Sequence, residues 1–195
     1  MGHQYAEIMF TENVKNLQEQ YGSRKSYARM QEGEDYNNIL CAAEIQFIVN
    51  CDSFYMASIN EEGWPYIQHR GGPKGFIKII DEKTIGFSDF SGNKQYISVG
   101  NFKTNNKVSL FFMDYKNRRR LKMIGHIQIL DEADSKIIRK LEPDNYTARV
   151  ERGLIITILG FDWNCPQHIP QRYTREDIQP LLDTLAHYEG ENTNP

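Results

Sequence analysis

Three cations sit where their neighbours suggest chemistry. Arg70 closes the run WPYIQHR and is followed by Gly71-Gly72. Lys78 interrupts the otherwise apolar FIKII on the side shared with Phe76 and Ile80. Lys94 ends Ser91-Gly92-Asn93-Lys94, just before Tyr96, Ile97, Val99 and Phe102, whose spacing fits one side of a short helix. A helix N-terminus offers unpaired N–H groups and partial positive charge. A glycine lets a ligand approach the backbone. A lysine inside an apolar strand must reach solvent or meet an anion. Together these residues would make a seat for a phosphate monoester. The plain alternative is a helix cap at Ser91 with two solvated lysines.

Other clusters are weaker. DYKNRRRLK, residues 114–122, holds five basic residues within seven, either a solvated turn or a nucleic-acid patch built on Arg118 to Lys122 with exposed aromatics. A formal net charge of −3 disfavours the second reading. Cys165 and His168 are two of the residue types that bind metals, with no matching pair nearby, so no metal site is expected. His69 and His126 are strand histidines, more often structural than functional. GxGxxG, the P-loop and HExxH are all absent from the sequence, which excludes those nucleotide and zinc-protease readings.

These residues need elements to position them. With 195 residues, 39% hydrophobic and 25% charged, the chain has an ordinary globular composition and suits a single domain over 1–195. Aromatics reach 12%, which favours strands over a helical bundle. Residues 11–31 read as helical, with Thr11 as cap, Val14, Leu17 and Tyr21 on one side and Gly22 as a stop. Residues 38–51 read as a second helix, so the N-terminal helices lie within about 11–51. Short strands follow at 54–60, 64–70, 76–80 and 84–90, with turns between them, as in an antiparallel meander. Further strands are expected at 107–115, 120–130 and 153–163, with short helices after 90 and at 135–143. An amphipathic C-terminal helix is expected over 174–188, capped by Thr174 and Asp177. Seven strands with short connections imply a closed or nearly closed barrel. Three cysteines without CxxC spacing argue against a disulfide framework. The N-terminus has no signal-peptide h-region, Ala6 breaks a myristoylation motif, and no run reaches the roughly 18 apolar residues of a membrane span. A soluble, cytoplasmic protein is expected.

The blocks FYMASINEEGWPYIQHRGGPKGF, GFSDFSGNKQYISVGNF, VSLFFMDYKNRRRLKMIGHIQI and DWNCPQHIPQRY, in that order, resemble the pyridoxamine 5′-phosphate oxidase-like FMN-binding split barrels over nearly the whole chain. The resemblance implies a mainly β, α+β fold: an antiparallel, Greek-key FMN-binding split β-barrel with flanking helices. It implies that Arg70, Lys78, Ser91, Asn93, Lys94 and Gln95 hold the FMN phosphate. It also implies a homodimer with the flavin ring at the interface, where Arg120 faces the neighbouring subunit's flavin. The Trp163 region is expected to close over that ring, Trp163 by packing and Asn164, Gln167 and His168 by lining the pocket over the flavin; a plain structural turn is the alternative. The activity implied is flavin-dependent oxidoreduction of a small molecule, with no nucleic acid or membrane partner. No C-terminal Arg-x-His-like clamp for a pyridoxal phosphate group is found, so the substrate is left open. A non-enzymatic flavin-binding or sensing protein, and a nucleic-acid-binding β-barrel, are the other readings.

Overall fold

The apolar alternation of FYMASIN sets the pattern for the sheet. In strand β1 (Ser53–Ile59), Phe54, Met56 and Ser58 are buried while Tyr55 and Ile59 face outward, the period-2 signature of a sheet with one packed face. The computed structural model describes residues 3–33, 37–131, 134–163 and 165–192. The remaining strands are β2 (Pro65–Gly71), β3 (Lys78–Asp81), β4 (Thr84–Phe90), β5 (Lys107–Asp114), β6 (Arg119–Leu130) and β7 (Val150–Trp163). They form one sheet in the order β2-β1-β5-β6-β7-β4-β3, and every neighbouring pair is antiparallel. The architecture is the expected antiparallel α+β split barrel.

The split is the seam between β2 and β3, the two ends of that order. Side chains, not a backbone ladder, bridge it. Phe54 of β1 meets Phe87 of β4 edge-on across it at 5.2 Å between ring centroids, and stacks at 5.0 Å on Phe112, its partner on the neighbouring strand β5. Phe54, Phe76, Phe87 and Phe112 are all essentially buried, with Met56, Ile85, Leu110, Leu121, Met123, Leu154 and Ile156 around them. Aromatic rings supply the bulk that a curled sheet needs to fill its interior.

The helices are α1 (Gln4–Met9), α2 (Glu12–Gln20), α3 (Arg24–Glu32), α4 (Ala42–Asn50), α5 (Ile97–Phe102), α6 (Ser135–Leu141) and α7 (Arg175–Asn192). Gly22, at φ 77°, separates α2 from α3, as a glycine stop should. Thr11 caps α2 by accepting the Val14 N–H at 3.5 Å. The side of α2 expected to pack does not: Leu17 and Tyr21 are exposed. Helix α1 is an addition to the elements expected from the sequence. It lies across β7 because Gly160 leaves room for it; a Cβ there would sit 2.6 Å from the Tyr5 nitrogen. Helix α4 starts at Ala42, where Glu44 accepts the Cys41 N–H at 3.1 Å and so fixes the first turn. Helix α7 has the expected cap: Asp177 accepts the Thr174 N–H at 3.0 Å, and the Asp177 N–H donates back to the Thr174 hydroxyl at 3.2 Å. Among the described residues no helix is long and apolar enough to cross a membrane.

Candidate functional site

The cations foreseen at the strand ends meet at the seam, but in company. Tyr66, Gln68 and Arg70 alternate along β2 on the face toward the core. Arg70 donates through a guanidinium N–H to Asp89 Oδ1 of β4, while Arg152 of β7 donates to Asp89 Oδ2 at 2.9 Å. Asp89 is 5% exposed. A carboxylate buried that deeply requires cationic partners. Arg152 also donates to Glu151 at 2.7 Å and lies 5.2 Å from the centre of the Tyr96 ring, and the Tyr96 hydroxyl donates to Glu151 at 3.3 Å. The Ser91 hydroxyl is the main influence holding the Glu151 carboxyl below its usual range. The Arg152 charge, the Tyr96 hydroxyl and the Lys94 charge add to it against a desolvation effect of opposite sign.

Above this ladder is a shallow hollow of ≈ 50 Å³ whose walls include Arg70, Gly92, Asn93, Lys94, Gln95 and Arg152. It carries three cations, Arg70, Lys94 and Arg152, against two carboxylates, Asp89 and Glu151, leaving one net positive charge. The Arg70 Nε is buried without an acceptor among the described residues. A Cβ added at Gly92 would meet nothing within 4 Å, so the backbone there is open to approach.

One expectation is corrected here. Ser91-Gly92-Asn93-Lys94 does not open a helix. Helix α5 begins at Ile97, its N-cap is Tyr96 in the left-handed region (φ 53°), and Lys94 is also left-handed (φ 59°). The segment is a tight loop, braced where Asn93 Oδ1 accepts the Gln95 N–H at 3.2 Å. With six residues, α5 has too short a dipole to serve as an anion seat, so any charge complementarity must come from side chains. Helix α5 is fixed instead by Ser98, which donates to Gln68 at 2.9 Å, and by Asn101, which donates to the buried Ser58 hydroxyl at 2.9 Å.

The other foreseen residues lie apart from the hollow's walls. Ser91 donates its N–H to the Arg149 carbonyl at 2.8 Å. Lys78 opens β3 rather than interrupting it, half-buried opposite Gly86. Arg120 is half-buried on β6 opposite Met113, and its Nε is buried without an acceptor among the described residues. Trp163 is engaged within its own chain. It meets Phe47 edge-on at 4.8 Å and donates from Nε1 to Glu44 at 2.8 Å, and the Arg119 guanidinium lies 4.5 Å from its ring centre. Gln167 and His168 are exposed, and Asn164 lies outside the described residues. Of the basic run, Lys116 binds Asp177 at 2.7 Å and Lys122 binds Asp162 at 2.9 Å, so it is not one open patch. Exposed His69 sits edge-on to Tyr55, and half-buried His126 pairs with Lys107 across the sheet.

Asp89, Glu151 and Arg152 were not foreseen. The signal for Asp89 was present, since a carboxylate inside the aromatic strand FSDF needs a buried partner. Nothing local identified Arg152 as one of its two.

A seven-stranded antiparallel split barrel with a cation-rich seam defines a recognisable class, and the match is direct. The chain belongs to the pyridoxamine 5′-phosphate oxidase family, whose model matches residues 42–149, more than half of the chain. No curated protein matches the chain. Among solved structures, it is similar to HupZ of Group A Streptococcus, at 17% identity over 69% of this chain and 100% of that one, with a TM-score of 0.52. A histidine-to-alanine variant of HupZ gives 16% identity, 65% and 100% coverage and a TM-score of 0.53. An FMN-binding protein from Syntrophomonas wolfei subsp. wolfei is similar at 16% identity over 75% and 97% of the two chains, with a TM-score of 0.48. At these identities the structural likeness speaks to the fold alone.

Proposed function

We propose that this protein binds FMN and acts as a homodimeric, flavin-dependent oxidoreductase on a small molecule. The observation that carries the reading is the hollow at the seam, with its surplus of one positive charge and the buried Arg70 Nε that lacks an acceptor among the described residues. A hollow of ≈ 50 Å³ suits a phosphate group and not a flavin ring. Arg70, Lys94 and Arg152 would offset the charge of that phosphate, and the amides of Asn93 and Gln95 would donate to its oxygens. Lys78, on β3, and Ser91, on the loop, line no wall of the hollow and would support the seat from outside it. The bound flavin would supply hydride or electron transfer, and the protein would supply position and electrostatics.

The ring would lie outside the hollow, against a second copy of the chain. Tyr55, Ile59 and Ile67 on β1 and β2, with Trp64 in the turn between them, leave exposed apolar surface, Trp64 being 69% and Ile67 63% exposed. Such a surface favours burial in a symmetric dimer. Arg120 would reach a neighbouring ring from β6. Trp163, Asn164, Gln167 and His168 would shape the far side of that pocket.

The test is a titration of wild type and Arg70→Ala with FMN and with riboflavin, read by flavin fluorescence. Loss of one charge-assisted contact should weaken FMN by roughly ten- to a hundredfold and leave riboflavin nearly unchanged. Equal weakening of both ligands refutes the phosphate seat. Turnover of bound flavin with NAD(P)H and an acceptor separates an enzyme from a protein that only binds flavin.

A further inference from the structure

A second cavity lies away from the seam. It is an open cavity of ≈ 680 Å³ lined by α4, Lys74 of the β2–β3 connection, the turn between β5 and β6, and residues from 172 to 177 at the start of α7. It shares no lining residue with the hollow above Arg70. Its size is that of a small-molecule site. The C-terminal segment is held over it by three contacts: Gln171 donates to the Lys116 carbonyl at 2.8 Å, Lys116 binds Asp177 at 2.7 Å, and Lys74 binds Glu176 at 3.5 Å.

The charges of this cavity can be accounted for one by one. Lys116 and Lys74 have the carboxylates just named. Asp177 has Lys116 and Thr174. Asp114 accepts the Asn117 N–H at 3.0 Å and its side-chain amide at 2.7 Å. Asp52 accepts from Ser53 at 2.9 Å. Asp52 and Asp114 receive only neutral donors and stay formally negative, while Arg119 and Arg172 are the cavity's two cations with no carboxylate partner among the described residues. Each guanidinium lies over an aromatic ring: Arg119 is 4.5 Å from the Trp163 ring centre and 5.3 Å from that of Phe47, and Arg172 is 4.7 Å from that of Tyr115. Neither donates a side-chain hydrogen bond to any of the described residues. A ring contact holds a guanidinium in place without using its N–H groups, which remain available to an oxyanion. Tyr173 and Met113 add ring and apolar surface to the same cavity.

We infer that this cavity is a binding site for a small, flat organic anion, a carboxylate or a phosphate monoester, held by the N–H groups of Arg119 and Arg172. The site shares no lining residue with the proposed phosphate hollow, and it meets the proposed flavin-ring pocket only at Trp163, the ring under Arg119.

The experiment is calorimetric titration of the purified full-length protein, as isolated and again with saturating FMN, using phenyl phosphate, benzoate and benzyl alcohol as probes. Phenyl phosphate or benzoate should bind, and whichever is tighter identifies the oxyanion. Benzyl alcohol, which keeps the ring but lacks the charge, should not bind. Arg172→Gln and Arg119→Gln should each weaken the anion about tenfold, the lower end for a charge-assisted contact. Arg172→Lys, which keeps the charge without the fork, should recover only part of the loss. Arg70→Ala should leave the anion unaffected. The inference is overturned if neither anion binds, if benzyl alcohol binds as well as they do, if both glutamine variants bind normally, or if saturating FMN displaces the anion.

Discussion

Asp89→Asn tests the ladder at the seam most directly. Asp89 has side-chain exposure of 7%, and its partners Arg70 and Arg152 have 12% and 18%. These are not surface ion pairs, which contribute about 0–1 kcal/mol. Removing one partner of a buried pair costs about 3–5 kcal/mol, because it leaves charge buried and unpaired. Asparagine keeps one acceptor oxygen, so the lower figure of about 3 kcal/mol applies. For a chain of this length that corresponds to a fall in Tm of about 6–12 °C. The variant also raises the surplus charge of the hollow from one to two. One extra unit charge about 8 Å from a phosphate, at an effective dielectric of about 20, is worth about 2 kcal/mol per unit of phosphate charge before salt screening. FMN should therefore gain over riboflavin by at least about fivefold after screening. Differential scanning fluorimetry reads the first effect, and parallel fluorescence titrations of the two flavins read the second. A Tm within about 1 °C of wild type would show that the ladder contributes little. A fall in the preference for FMN would show that the hollow does not receive the phosphate.

The remaining predictions address other parts of the chain. Burial, together with the charges of Asp52 and Asp114, pushes the Cys51 thiol up to about 12, whereas Cys41 and Cys165 are exposed; at about pH 8 a thiol reagent should modify two cysteines rapidly and the third only on unfolding. Contact with Lys116 and the Thr174 cap holds the Asp177 carboxyl below its usual range, and contact with Asp177 holds the Lys116 ammonium above its own. A depressed carboxyl stabilises above its unfolded pKa and a raised ammonium below its own, so docking of the C-terminal segment should be constant between about pH 4 and 10 and weaken outside that window. Limited proteolysis of residues 172–192 across pH reads this. Trp163→Phe keeps the ring but removes the donor to Glu44; a loss of about 1–2 kcal/mol is expected in urea unfolding. Gly160→Ala places a Cβ against the α1 backbone at Tyr5, so hydrogen exchange should speed up in residues 4–9 while the sheet stays protected.

The strands were legible because their physics is local. Phe54, Met56 and Ser58 alternate with exposed neighbours whichever strand they pair with, and β4 occupies the expected residues, Thr84–Phe90. The opening of α5 was not legible. Serine, glycine and asparagine before an apolar repeat are the ordinary signature of a cap, yet the chain takes left-handed backbone at Lys94 and Tyr96, which no residue type announces. The contact between Arg70 and Asp89 was hidden for a different reason. Strands β2 and β4 are not neighbours in the sheet order, so no hairpin or register rule joins them. Only the curl of the sheet brings them together.

That curl changes what Arg70 contributes. Read alone in WPYIQHR, it is a full positive charge free for a ligand. In the folded chain its charge is already offset by Asp89, and the same carboxylate is shared with Arg152. A lone buried guanidinium would carry a large desolvation cost; one held by a shared carboxylate sits in a fixed position, its Nε still without an acceptor among the described residues. An incoming dianion therefore meets the surplus of the whole group, two arginines and Lys94 against Asp89 and Glu151, rather than any single residue. Affinity at such a seat should track the sum. Replacing Arg152 and replacing Lys94 should weaken a phosphate to a similar degree, although one is half-buried in the ladder and the other lies on the loop.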